Sequence, residues 1–234
     1  MKGTSHAITG AAAWVAVSVP LDLTPAARPF EIVLGCFVAG GAALAADWDH
    51  AGTTISKSLG FISLFISKVI NVVSGGHRKG THSILGTLAF ALLMWGSTQL
   101  VTNGMVIAPA IVAFFLASLF FSITSETFLG RISKFAILGS VATAVAVFVM
   151  TASDTQIPLD PREGLNWFLA SAVIGYIAHI IGDFITTAGV PLLYPFTNFH
   201  FKFPILGNAG SFREKLFVPG VTLAVAIWTV MSFL

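Results

Sequence analysis

The sequence predicts an all-α fold, a polytopic transmembrane helical bundle of about seven spans with one further amphipathic helix at the interface. Three observations carry that reading. The 234 residues are 56% hydrophobic and only 9% charged, with a mean hydropathy of +0.89, whereas soluble domains carry roughly 25% charged residues. The apolar residues fall into evenly spaced runs of about the 20 residues needed to cross a bilayer core. The basic residues concentrate in alternate loops between those runs, the asymmetry that orients membrane proteins. So few charges cannot clothe a surface in water but can clothe one in lipid. The even spacing makes residues 1–234 a single membrane-embedded domain.

The candidate spans are residues 5–21, 30–47, 82–101, 105–124, 134–152, 165–185 and 216–234. The opening MKGTSHAITGAAAW has no clear small-residue cleavage site and is read as retained. The first two spans are short and rich in Ala and Gly, a composition that suits helices packed against protein. Between the second and third, Leu59, Ile62, Ile66 and Val69/Ile70 recur at helical spacing, with Lys57 and Lys68 among the polar positions. That pattern predicts an amphipathic helix in the interface, with a re-entrant pair as the alternative. With seven spans, one side of the membrane receives Lys2, Lys57, Lys68, Arg78, Lys79, Arg131, Lys134, Lys202, Arg213 and Lys215. The other receives Arg28 and Arg162. The first side, with the N-terminus, is therefore expected to be cytoplasmic.

The same map gathers the chemistry. His6 opens the first span, and Asp47, Asp49 and His50 close the second. His77, Arg78, Thr81 and His82 lead into the third, and the sixth ends on His179 and Asp183. All of them fall on the cytoplasmic face, although the spans were placed without reference to histidine. His179 and Asp183 are four apart and share a helix face, and ionisable groups at membrane depth usually mark a functional interior. Asp47 and His50, three apart, face one way if the helix continues that far, leaving Asp49 for a second ion or a histidine partner. Imidazole and carboxylate without thiolate suit Zn²⁺, Mn²⁺ or Fe²⁺, and such an ion lowers the pKa of bound water toward about 7.

Other polar groups read as structure. Cys36, the only cysteine, excludes an intrachain disulfide and a Cys-based zinc site. Glu126 reads as a surface partner of Arg131, His200 as an interfacial side chain, and Asp154, Asp160 and Glu163 as loop charges on the opposite side. The net charge of +2 does not point to nucleic acid.

The segments TSHAITG, ADWDH at 46–50, HRKGTHS at 77–83 and HIIGDFITTAGVPLLYPF at 179–196 together resemble the YdjM-like group of bacterial inner-membrane proteins, described as membrane-bound metal-dependent hydrolases. The resemblance runs from residue 4 to 196, with four motifs in the family's order. It departs at Ala46, where the family usually has Pro, and at Thr187-Ala188, where an aromatic is common. It implies an inner-membrane location and His6, Asp47, Asp49, His50, His77, His82, His179 and Asp183 as the polar core.

The resulting expectation is a hydrolase holding one or two divalent metals, Zn or Mn, on His6, Asp47, His50, His82, His179 and Asp183. Asp49 or His77 would move protons, and Arg78 would clamp an anion. Thr81, Ser83 and Thr186 would donate hydrogen bonds to ligands or substrate. Membrane depth makes the expected substrate an ester or phosphoester of a lipid or lipid-linked molecule at the cytoplasmic leaflet. The alternative is a divalent-cation or proton transporter using the same cluster, although a through-path needs polar residues across the whole bilayer depth.

Overall fold

The computed structural model describes residues 1–18, 29–131, 134–154 and 166–232. Eight α-helices lie within them: α1 (Gly3–Ser18), α2 (Pro29–Ala45), α3 (Phe61–Val73), α4 (Ile84–Thr102), α5 (Ala108–Leu129), α6 (Lys134–Asp154), α7 (Asn166–Phe184) and α8 (Phe212–Met231). Arg28, Asp160, Arg162 and Glu163, expected on the far side, lie outside the described residues. Six helices are long and apolar enough to cross a membrane, namely α4 to α8 and α2 with the 3-10 turn that extends it to Asp49.

The first expected span is the exception. Its described part is the 16-residue α1, about 24 Å long against a hydrocarbon core of about 30 Å. Helix α1 packs against α2, α7 and α8 and buries His6, Ala7, Gly10, Ala12, Trp14 and Ser18. At its far end the Trp14 indole donates to the Ile32 carbonyl, 3.0 Å away.

Small residues let these helices meet backbone to backbone. A Cβ added at Gly41 would lie 2.0 Å from the Leu116 carbonyl oxygen, and one at Gly175 would lie 2.1 Å from that of Ala39. These contacts set α5 and α7 directly on α2. At Gly10 the added atom would meet the Ala43 methyl at 2.6 Å, so α1 is fitted equally closely.

Polar bonds then tie the helix ends together on one side of the bundle. Thr4 and Thr127 share a hydrogen bond of 3.2 Å between α1 and α5. The Lys2 amide donates to Glu214 at 2.8 Å, joining α1 to α8. Glu126, expected to pair with Arg131, accepts from the Thr54 hydroxyl. Helix α8 begins four residues before the expected boundary because Ser211 caps it, accepting from the Glu214 amide, while Glu214 accepts from the Gly210 amide at 2.7 Å. That reciprocal arrangement is a variant of the capping box.

Helix α3 is the expected amphipathic segment, with its polarity turned toward the protein. Phe61, Ile62, Phe65, Val69, Val72 and Val73 are exposed, while Ser63 and Ser67 are buried. At 13 residues it is about 20 Å long and too short to span. An apolar outer face with small polar residues inward suits a helix lying at the lipid boundary.

The close approach of α7 to α2 gives a direct check. Gly175→Ala forces a methyl against a carbonyl, an overpacking costing about 1–3 kcal/mol, and the thermal midpoint in detergent should fall by several degrees. Gly220→Ala, where nothing lies within 4 Å of the added atom, should leave the midpoint unchanged or slightly raised.

A candidate metal centre at one end of the bundle

Tyr176, His179 and Asp183 follow one another on α7 at spacings of three and four and are all buried, as one helix face requires. The His179 ring is fully enclosed, and its Nδ1 lies 2.6 Å from the Ala43 carbonyl. Ala43 is in the last turn of α2, where carbonyls lack partners within the α-helix. A carbonyl only accepts, so Nδ1 carries the proton and Nε2 presents a lone pair.

The same logic fixes His82. Its Nδ1 lies 2.9 Å from the Thr81 hydroxyl oxygen, and that hydroxyl donates its only proton to Asp49 Oδ2 at 2.8 Å. His82 Nδ1 must therefore be the donor, which leaves its Nε2 as a second lone pair. The two Nε2 atoms face each other at 3.1 Å. Two acceptors at that distance repel unless a cation serves both.

Carboxylates complete the arrangement. Asp47 Oδ1 lies 3.4 Å from His82 Nε2 and 3.9 Å from His179 Nε2. Asp183 Oδ2 lies 3.7 Å and 3.8 Å from the same two atoms. Both oxygens are buried without a well-formed hydrogen bond, as is His6 Nδ1. His6 stacks on the His179 ring with centroids 3.8 Å apart, and its Nε2 reaches Asp183 Oδ1 at 3.1 Å. The Met1 amino nitrogen also rests on Asp183 Oδ1. A shared proton would satisfy the nitrogen pair and leave Asp47 Oδ1 without a partner. The donor set and its orphaned atoms fit a divalent ion, and the Nε2 separation is close to that of two ligands sharing one ion at about 2.0–2.1 Å each.

Among the described residues, three groups bring ligand atoms close enough for an ion: Asp47, His82 and His179; His6, His179 and Asp183; and Asp47, Asp49 and His77. The third is differently built. Asp49 is fully buried, with Oδ1 on His77 Nδ1 at 2.7 Å and Oδ2 accepting from the Arg78 amide at 3.0 Å and from Thr81. Asn71 holds its backbone carbonyl at 2.7 Å. With its oxygens already matched to donors, Asp49 acts as an orienting carboxylate, and the partly exposed His77 ring keeps its Nε2 free.

Arg78 completes the near side. One guanidinium nitrogen lies 3.0 Å from Asp183 Oδ2, and its buried Nε has no partner. Its φ of +56° is uncommon for a side-chain-bearing residue and costs about 1–2 kcal/mol. The Arg78 amide bond to Asp49 holds the backbone in that conformation.

Several expected donors have other tasks. His50 does not join Asp47: the backbone leaves helical geometry at His50, φ −109° and ψ 100°, and the exposed ring turns edge-on to His77 at 4.6 Å. Ser83 caps α4 through the Gly86 amide, and the Thr186 hydroxyl donates to the Asp183 carbonyl at 2.8 Å. His200 is exposed, 3.2 Å from the Ala188 carbonyl. Two contributors escaped the sequence reading. Tyr176 donates to the Thr81 carbonyl at 2.6 Å, and Asn71 supports Asp49. Tyr176 was within reach, since it sits one turn before His179 on the same face.

Fold and site together define a polytopic helical membrane protein with a buried histidine–aspartate cluster at one end of its bundle. The sequence profile of the YdjM inner membrane protein family matches residues 1–233, and the chain belongs to that family. It is accordingly a multi-pass inner-membrane protein. Among relatives, the inner membrane protein YdjM of Escherichia coli (strain K12) is 35% identical over 98 residues, covering 39% of this chain and 45% of that protein. The uncharacterized protein YvsG of Bacillus subtilis (strain 168) is 38% identical over 64 residues, covering 27% and 39% respectively. The chain thus aligns with less than half the length of these relatives. No solved structure matches it.

Thr81 fixes the His82 tautomer without being a ligand-sized neighbour itself. Thr81→Val should weaken zinc binding about 10- to 100-fold, as loss of such a supporting partner does, measured by competition with a fluorescent chelator. Undiminished affinity would show that the tautomer is set elsewhere.

Proposed function

We propose that the protein is a metal-dependent hydrolase of the inner membrane, acting on an ester or phosphoester of a lipid or lipid-linked substrate at the cytoplasmic leaflet. The observation that carries this reading is the pair of imidazole lone pairs held face to face beside the buried Asp47 Oδ1, which has no hydrogen-bond partner, and Asp183 Oδ2. His82, His179 and Asp47 would hold the ion, with Asp183 and His6 beside them. The absence of thiolate suits Zn²⁺ or Mn²⁺. When bound, such an ion polarises the scissile group and acidifies water to give a nucleophile near neutral pH.

The chain's own residues supply the rest. Asp49 keeps the proton on His77 Nδ1, so His77 Nε2 is free to take a proton from the attacking water and return it to the leaving oxygen. The geometry is that of a histidine oriented by a carboxylate. Arg78 has donors to spare beyond its contact with Asp183 and is placed to bind a phosphate or developing oxyanion. Enclosure of His82, His179 and Asp183 excludes bulk water and strengthens each of these interactions. The Lys/Arg bias of the loops at this end supports the cytoplasmic placement.

Elemental analysis of purified protein tests the reading. Wild type should carry a stoichiometric divalent metal and His179→Ala/Asp183→Ala should carry none; equal content in both would defeat it. The metal-loaded protein should hydrolyse phospholipid or phosphatidate in mixed micelles. Arg78→Ala should lower kcat/KM by about 10²-fold, the scale of losing one charge-stabilising donor, without loss of metal. Metal uptake into proteoliposomes without turnover would establish the transporter instead.

A further inference from the structure

A cavity of about 920 Å³ lies between α3, α4, α5 and α7, and its inner end is walled by Thr81 and Tyr176, the residues that brace His82. From there it runs along α4 to Met94, with Val112 of α5 opposite. The eleven steps from Ser83 to Met94 correspond to about 16 Å of helix. The lining is overwhelmingly apolar, and its volume lies in the range of about 300–1,000 Å³ that takes whole small-molecule ligands. The cavity opens sideways between α3 and α4, where Val73 is 82% and Leu93 64% exposed.

From this we infer that the cavity binds a single acyl or isoprenoid tail of the substrate, which arrives laterally from the bilayer with its head group at the metal centre. Continuity decides the occupant. The mouth lies on the apolar flank of membrane-crossing α4, so it meets hydrocarbon, while the opposite end stops at Thr81 and Tyr176, the polar pair behind His82. Only an amphiphile matches both ends. A partner helix, about 10 Å wide, would cover the mouth without filling the depth. The apolar roof that α3 provides, anchored inward through Ser63, whose hydroxyl donates to the Ser56 carbonyl and whose carbonyl accepts from the Trp48 indole, is thereby explained as one wall of a tail channel. This inference rests on the hydrolase reading for the identity of the head-group site.

The test uses full-length protein in vesicles of phosphatidylethanolamine and phosphatidylglycerol containing phosphatidic acid with a diazirine at the end of one acyl chain. Photolabelling should concentrate on the α3 and α4 lining peptides. In Ala89→Trp, whose ring would fill the cavity from the α4 wall, labelling there should fall about tenfold with zinc content unchanged, because the space is taken. Leu92→Trp, on the outer surface of α4, should label like wild type. Labelling spread evenly over α6 and α8, or insensitive to Ala89→Trp, overturns the tail site. Lining-specific labelling in a protein that binds no zinc would overturn the hydrolase reading and leave the tail site standing. Zinc binding with evenly spread labelling does the reverse.

Discussion

Two imidazole nitrogens with their lone pairs turned toward each other, 3.1 Å apart in an enclosed interior, are the constraint around which the rest of this structure is arranged. Neither can donate to the other, because the Ala43 carbonyl and the Thr81 hydroxyl already take the ring protons. The hydroxyl is in turn committed to Asp49. A chain of single-proton bonds therefore runs from Asp49 through Thr81 and His82 to the space shared with His179. Reversing any one bond would release the facing lone pairs.

Burying these groups is costly, and the cost explains features that would otherwise look unrelated. A carboxylate moved from water into a protein interior loses several kcal/mol unless it is paired and hydrogen-bonded. Asp183 is met by His6 and Arg78, and Asp49 by His77, Thr81 and the Arg78 amide. The left-handed backbone at Arg78 lets one residue serve both carboxylates, its amide on one and its guanidinium on the other. The close backbone packing of α1, α2, α5 and α7 through Gly10, Gly41 and Gly175 brings the helix ends near enough for residues 6, 47, 82 and 183 to meet. Small residues are how membrane helices approach closely, and here that closeness serves the site.

Much of this was legible in the sequence. Six of the seven expected spans correspond to long apolar helices, because a run of about 20 apolar residues has few other outcomes. The convergence of His6, Asp47, His82, His179 and Asp183 followed from counting spans, since alternate helix ends must share a side. What the sequence withheld depended on local backbone geometry. His50 looked like a partner for Asp47 until the helix broke one residue too soon. Asp49 was open to a second ion or a histidine partner, and only the path of the backbone shows that donors from residues 77, 78 and 81 occupy it. Thr81 acts through its single hydroxyl proton, and no spacing rule shows which way a hydroxyl donates. The α8 boundary was misplaced because a charged first turn, FREK, masked the Ser211–Glu214 cap.

A single ion shared by His82 and His179, as proposed, would have one definite position. Diffraction data collected above and below the zinc absorption edge from crystals of the zinc-loaded protein test it most directly. An anomalous peak is expected within about 2.0–2.1 Å of both Nε2 atoms, with an Asp47 oxygen alongside. A peak elsewhere, or a zinc-loaded crystal in which the two nitrogens have separated with no ion between them, would contradict that position.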